Sequence, residues 1–409
     1  MVQVEQRFPR PRVTDIPAAL AATVKALPLK DLAGKRVAIA CGSRGIPEAP
    51  TLVSNLVAIL RERGANPFIL PAMGSHGGAT AEGQRQVLEG YGITETRVGA
   101  PVRASMEVVQ VGELPGRIPL FCDALARGAD AIVLFNKIKP HSAYKARIES
   151  GLLKMAVIGL GKHQGASTLH TFGFDEFPEI VRSAGERLIR TLPIAFGLAV
   201  VENAYGEVAL LEAVAPERIP DREPELLVEA KRIMSRLLLP AIDVLIVDEI
   251  GKDVSGAGLD PNVTGRPATR RPGFEAPPIQ KIIVRGLTPA SHGNAAGIGM
   301  ADFTTVRCVE QIDLGISYTN VFTARVMDSL RIPVMLRNDR EALGVALKTC
   351  NRVTPEQARL VRIRNTKTLH VIAVSESCLS GIEGRADLIV LGPPRSMEFD
   401  ADGYLIAPL

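Results

Sequence analysis

Short β-branched runs alternate with longer amphipathic ones along the 409-residue chain. RVAIAC (36–41) predicts a buried strand, and APTLVSNLVAILRERG (49–64) a helix that carries its charges late and stops at Gly64. PFILPAMG (67–74) predicts the next strand and TAEGQRQVLEGYG (80–92) the next helix. A further strand is expected over ADAIVLFN (129–136), a helix over 175–192, a strand pair over 193–214 and a long charged helix over 223–238. AIDVLIVDEIG (241–251) then opens a second unit, with a strand at 281–287, helices near 302–313 and 317–330, and strands at 332–336 and 368–377. This alternation predicts an α/β protein with largely parallel sheets. The length exceeds what one core ordinarily serves. Two α/β domains are therefore expected, 1–239 and 240–385; the tail 386–409 can belong to either, including a return to the first.

Composition narrows the function classes. Trp is absent and aromatics make up 4% of the chain, which argues against a base-stacking nucleic-acid module. A formal net charge of +4 is too small for a basic groove but suits small anionic substrates. The five cysteines are scattered and form no CxxC pair, the pattern of reduced thiols in a cytoplasmic protein. The N-terminal stretch has no apolar core of the secretory type, and no apolar run is long enough to span a bilayer. The expectation is a cytoplasmic protein that engages neither nucleic acid nor membrane.

Ligands of open α/β sheets bind where strands end and helices begin, and three early strands end in unusual polar loops. CGSRGIPEAP (41–50) places Arg44 between glycines before a helix start, either to grip an anion or as a solvated turn arginine. GSHGGAT (74–80) boxes His76 between glycines, where it cannot pack in a core. NKIKPHSAYKARIESG (136–151) gathers Lys137, Lys139, His141, Lys145 and Arg147, with Pro140 holding His141 near the strand end. Next comes GLLKMAVIGLGKHQGASTLH (151–170), an apolar run interrupted by Lys154 and closed by His163 and His170. It is not a phosphate-binding P-loop: position 156 is Ala and Lys162 is followed by His163. In the second unit, 248–266 and 291–305 are long polar, Gly-rich loops that hold Lys252, Arg266, His292 and Asn294. Dinucleotide GxGxxG, HExxH and GxSxG fingerprints are missing.

Taken together, SRGIP, GSHGGAT, KPH…SGLLKM…H and SHGNAAGIGMADFTT resemble the nickel-dependent lactate racemase family of 2-hydroxyacid racemases and epimerases, as a divergent member. The resemblance covers most of the chain. It implies two α/β domains with the active site in the cleft between them, and a nickel-pincer nucleotide, a pyridinium mononucleotide whose sulfur groups hold nickel. It assigns Lys154 as the tether for that cofactor and His170, sixteen residues on, as a nickel ligand. It further implies His76 and His141 as acid and base, Arg44 as the anion-binding arginine of the catalytic set, and Gly74, Ser75 and Lys139 as cofactor contacts. Lys252, Arg266, His292 and Asn294 are expected to meet the substrate, a small anionic 2-hydroxyacid.

The chemistry has its own logic. Removing hydride from C2 of a 2-hydroxyacid leaves a planar 2-oxoacid that can be reduced from either face. One base on each side of the substrate makes the route reversible, and an imidazole pKa near ~6.5 suits that exchange. A neutral imidazole is also a fitting nickel ligand. Two other readings stand beside this one: hydride transfer with NAD in the same pocket, and a non-catalytic cofactor-binding homologue. The pairing of Lys154 with His170 favours nickel over NAD, and the paired His76 and His141 favour an enzyme over a carrier.

Overall fold

The computed structural model describes residues 1–43 and 45–406. The chain divides into two units. One comprises Arg10–His141 and Lys145–Ile233; the other comprises Met1–Pro9, Ser142–Tyr144 and Met234–Leu409.

The unit built on Arg10–His141 and Lys145–Ile233 is organised by a five-stranded sheet in the order Asn66–Pro71, Arg36–Cys41, Ala131–Lys137, Ile194–Glu202, Val208–Val214. The first four strands run parallel, and the last two form the antiparallel pair expected over 193–214. Val37 to Ala40 are all 0% exposed. A parallel strand covered on both faces reads as a continuous apolar run, which is why RVAIAC shows no alternation. Helix Ala49–Glu62 buries Leu52, Val53, Leu56, Val57 and Leu60 on one face and packs them into the same core as Ile39, Ile69 and Val133. From Arg36–Cys41 the chain steps to one side to form Asn66–Pro71, then returns to the other side to form Ala131–Lys137. The sheet order therefore reverses beside Arg36–Cys41, the place where open parallel sheets bind ligands at their carboxyl ends.

The second unit holds an eight-stranded sheet in the order Val334–Leu336, Phe303–Thr305, Ile279–Val284, Ile242–Val247, Leu360–Ile363, Val371–Val374, Val2–Gln6, Leu388–Val390. The first five strands are parallel; the last three join antiparallel. The chain start, Val2–Gln6, thus lies between strands from the chain's last 40 residues or so, and Leu388–Val390 of the tail pairs with it rather than with the five-stranded sheet. The helix expected near 302–313 is a three-residue strand, Phe303–Thr305, followed by the short helix Val306–Val309. Phe303, Thr304 and Thr305 are buried, and a run this short carries no period to distinguish strand from helix. All five cysteines are free. Among the described residues no helix is long and apolar enough to cross a membrane.

Candidate active site

Parallel strands Arg36–Cys41, Asn66–Pro71 and Ala131–Lys137 deliver the three polar loops to one end of the five-stranded sheet. Lys137, at the end of its strand, pairs with Glu202 and donates from Nζ to the Gly45 carbonyl at 2.8 Å. It thereby ties the third loop to the first. Arg44 itself lies outside the described residues.

The third loop is organised around a buried acid that sequence reasoning missed. Glu149 is 0% exposed. Its carboxylate accepts from the His141 backbone N–H at 2.6 Å, from Lys231 Nζ at 2.5 Å and from Lys145 Nζ at 3.3 Å. A carboxylate at that depth persists only with such compensation. Lys145 also donates to the His141 carbonyl at 3.3 Å, so this cation fixes the loop. Arg147 is exposed and faces Asp221. Lys139 is half-buried, and its backbone bridges to Ser150. The one signal in the sequence was a lone acid among five cations.

Lys154 follows Glu149 by five residues. Leu152–Lys154 forms a single helical turn that widens over Met155–Gly159, where the Leu160 N–H reaches back five residues to the Met155 carbonyl at 2.9 Å. Widened turns of this kind concentrate at functional sites. The start of the turn is capped by Glu223, whose Oε2 accepts from the Leu153 N–H at 2.9 Å. Burial pushes the Glu223 carboxyl up to about 7 against the pull of the Leu153 and Leu152 N–H groups. Gly151 makes room for it, since a Cβ there would come within 2.3 Å of Glu223 Oε1.

Lys154 Nζ lies 2.6 Å from His141 Nε2. An ammonium has only donors, so His141 accepts through Nε2. His170 closes the helix Lys162–His170. Its ring stacks flat on Phe177, 4.7 Å between centroids, and stands 5.7 Å from Phe174. Phe174 in turn lies 6.4 Å from the His141 ring. One aromatic ring therefore has both histidines as neighbours, and Lys154, His141 and His170 form one cluster.

His76 comes from the loop after Asn66–Pro71. Its Nδ1 is 2.6 Å from the Met73 carbonyl, so the proton sits on Nδ1 and Nε2 is the basic nitrogen. Gly74 has φ +58°, and a Cβ there would meet Ile158 Cγ2 at 3.2 Å. The His76 loop thus rests on the widened turn that follows Lys154. Ser75 is half-buried beside it.

Lys162, which looks in the sequence like a surface neighbour of His163, is 0% exposed. Its Nζ donates to the Pro71 carbonyl at 2.7 Å and to Gln84 Oε1 at 2.8 Å, and forms an ion pair with Asp123 Oδ2 at 3.2 Å. Burial pushes the ammonium down and the Asp123 carboxyl up, and their mutual attraction opposes both shifts. His163 is exposed, 3.2 Å from Ser167 Oγ.

The four residues expected to meet substrate belong to the other unit. Arg266 spends its terminal nitrogens there, on Asp302 at 2.6 Å and on the carbonyls of Ile279 and Gln280 at 2.8 and 2.9 Å. That guanidinium is a structural tie. Lys252 Nζ donates to the Gly256 carbonyl of its own loop at 2.8 Å. Asn294 is buried and accepts from the Ala296 N–H at 3.1 Å. His292 is exposed, with φ +48°.

Among the described residues, no group of three or more His, Cys, Asp or Glu side chains is placed to hold a metal ion. A bare ion has no protein cage here.

No family model matches the chain, and no curated protein does. Among solved structures, the chain is similar to the lactate racemase apoprotein from Thermoanaerobacterium thermosaccharolyticum, at 17% sequence identity and a TM-score of 0.51, over 87% of this chain and 97% of that one. The two-unit α/β architecture is therefore a lactate-racemase-like fold.

Proposed function

We propose that this protein is a racemase or epimerase of a small 2-hydroxyacid that works by reversible hydride transfer with a nickel-pincer nucleotide. The observation that carries the reading is the cluster of Lys154, His141 and His170 around Phe174, at the carboxyl end of a parallel sheet. The lactate-racemase-like fold supports it. What such a cofactor supplies, when bound, is reversible hydride acceptance at the substrate's C2.

The chain's own residues do the rest. Lys154 would meet the cofactor's organic part, Gly74, Ser75 and Lys139 would line it, and His170 would contribute one imidazole to the nickel. A cofactor bound at Lys154 would draw its amine from His141, leaving Nε2 available as a base. Glu149 keeps the His141 backbone fixed through that change. His76, with Nδ1–H committed to Met73, presents a basic Nε2. The two imidazoles take and return the hydroxyl proton, one for each enantiomer, and Arg44 binds the carboxylate.

The test is metal analysis and native mass spectrometry of the protein produced with the cofactor, paired with chiral chromatography of a panel of 2-hydroxyacids. Stoichiometric nickel that is lost in His170→Ala, together with racemisation, is the expected result. Nickel retained in His170→Ala overturns the ligand assignment. Activity of metal-free protein with added NAD replaces this reading with the nicotinamide one.

A further inference from the structure

Lys162, Gln84 and Asp123 make a buried polar group that the reaction outlined above does not use. Lys162 holds φ +54°, a left-handed conformation that lysine adopts only at a cost, and its ammonium is fully buried. Both expenses need a return. Asp123 does not supply it alone: its Oδ1 is occupied in capping the Leu125 and Ala126 N–H groups, and Oδ2 faces Nζ off the line of a hydrogen bond.

The return lies on the other side, at Gln84. An amide can sit either way round, but an ammonium has only donors. Nζ at 2.8 Å therefore turns Gln84 Oε1 toward Lys162 and the amide NH2 away from it. That NH2 donates to the Gly74 carbonyl at 2.8 Å and to the His76 carbonyl at 3.3 Å. Lys162 also holds the Pro71 carbonyl, at 2.7 Å. Between those anchors the Met73 carbonyl lies 2.6 Å from the imidazole Nδ1. A carbonyl accepts only, so the ring must be protonated there.

We infer that Lys162 and Gln84 are positioning residues that set the tautomer of His76, locking the proton on Nδ1 so that Nε2 is delivered as the proton acceptor. Its catalytic meaning rests on the racemase reading; the tautomer itself does not.

The experiment is NMR of the full-length chain with 15N-labelled histidine, with the His76 ring assigned through His76→Gln, in the wild type and in Gln84→Glu. The glutamate keeps an oxygen on Lys162 and fills the same space, so the tie between residue 84 and Lys162 survives the change. It has no NH2, so the Gly74 and His76 carbonyls lose their donor. The expected result is an Nδ1-protonated His76 in the wild type and a mixture of tautomers in Gln84→Glu. Lys162→Met, which frees the amide to turn, is expected to give the same mixture; should it fail to fold, Gln84→Glu alone decides. A wild-type His76 protonated on Nε2, or a tautomer unmoved in Gln84→Glu, overturns the inference. Absence of nickel and of racemisation, with the tautomer behaving as stated, defeats the racemase reading and leaves the positioning role standing.

Discussion

Replacing Glu223 by Gln should change how stability depends on pH. The carboxyl is fully buried, Oε2 accepts from the Leu153 N–H, and Oε1 has no hydrogen-bond partner among the described residues. Folding carries the group from an ordinary value of 4.5 to about 7. The folded chain then binds a proton that the unfolded chain has already released. Stability from this group is complete below about pH 4.5, declines as pH rises, and is gone above about 7. At 1.36 kcal/mol per pKa unit, the loss across that window is about 3 kcal/mol. Glutamine imitates the protonated acid and keeps an acceptor for the Leu153 N–H, so it should show no such loss. The assay is urea unfolding followed by far-UV circular dichroism at pH 5, 6, 7 and 8, since the chain has no tryptophan to report. Near pH 5 the two proteins should be of similar stability. At pH 8 the variant should be the more stable by about 3 kcal/mol. Parallel curves across the whole range would refute the reasoning, because they would mean that the carboxylate is as comfortable in the fold as in water.

Two other outcomes follow from the site. Glu149→Ala strands Lys145 and Lys231 around a cavity and frees the His141 backbone, and should cost about 3 kcal/mol in the same unfolding assay; a cost below 1 kcal/mol would show that the loop holds itself. Gly74→Ala forces a side chain into a left-handed conformation 3.2 Å from Ile158 Cγ2. It should destabilise by about 1–2 kcal/mol, and a neutral change in thermal unfolding would argue against close contact between the His76 loop and the widened turn.

The sequence was readable where chemistry and period are local. Strands such as Arg36–Cys41 and Ala131–Lys137 announce themselves because burial on both faces leaves an unbroken apolar run. His76, His141, Lys154 and His170 stand out because each sits where a packed core or a plain turn would not choose it. Residues that act through distant partners gave no such notice. Glu223 caps a turn 70 residues before it, and Glu149 meets Lys231 82 residues later. Lys162 in GLGKHQGAS shows nothing of its burial, because its partners Pro71, Gln84 and Asp123 come from three earlier segments. The strand Phe303–Thr305 was legible only as apolar, three residues being too few to show a period.

The placement of Val2–Gln6 has a consequence for synthesis. Val2–Gln6 is made more than 360 residues before its partners Val371–Val374 and Leu388–Val390. The segment must wait, unpaired on both edges, while the entire five-stranded unit is made and can fold. Waiting of this kind is slow, because contacts between segments so far apart in sequence carry a large loop-closure cost. It also makes the growing chain vulnerable, since VQVEQ and the apolar strands of its sheet stay open to wrong partners until residues 371–390 have been made. A product stalled before residue 371 would therefore carry Val2–Gln6 with neither of its strand partners, and is expected to be cut by proteases at that exposed segment first.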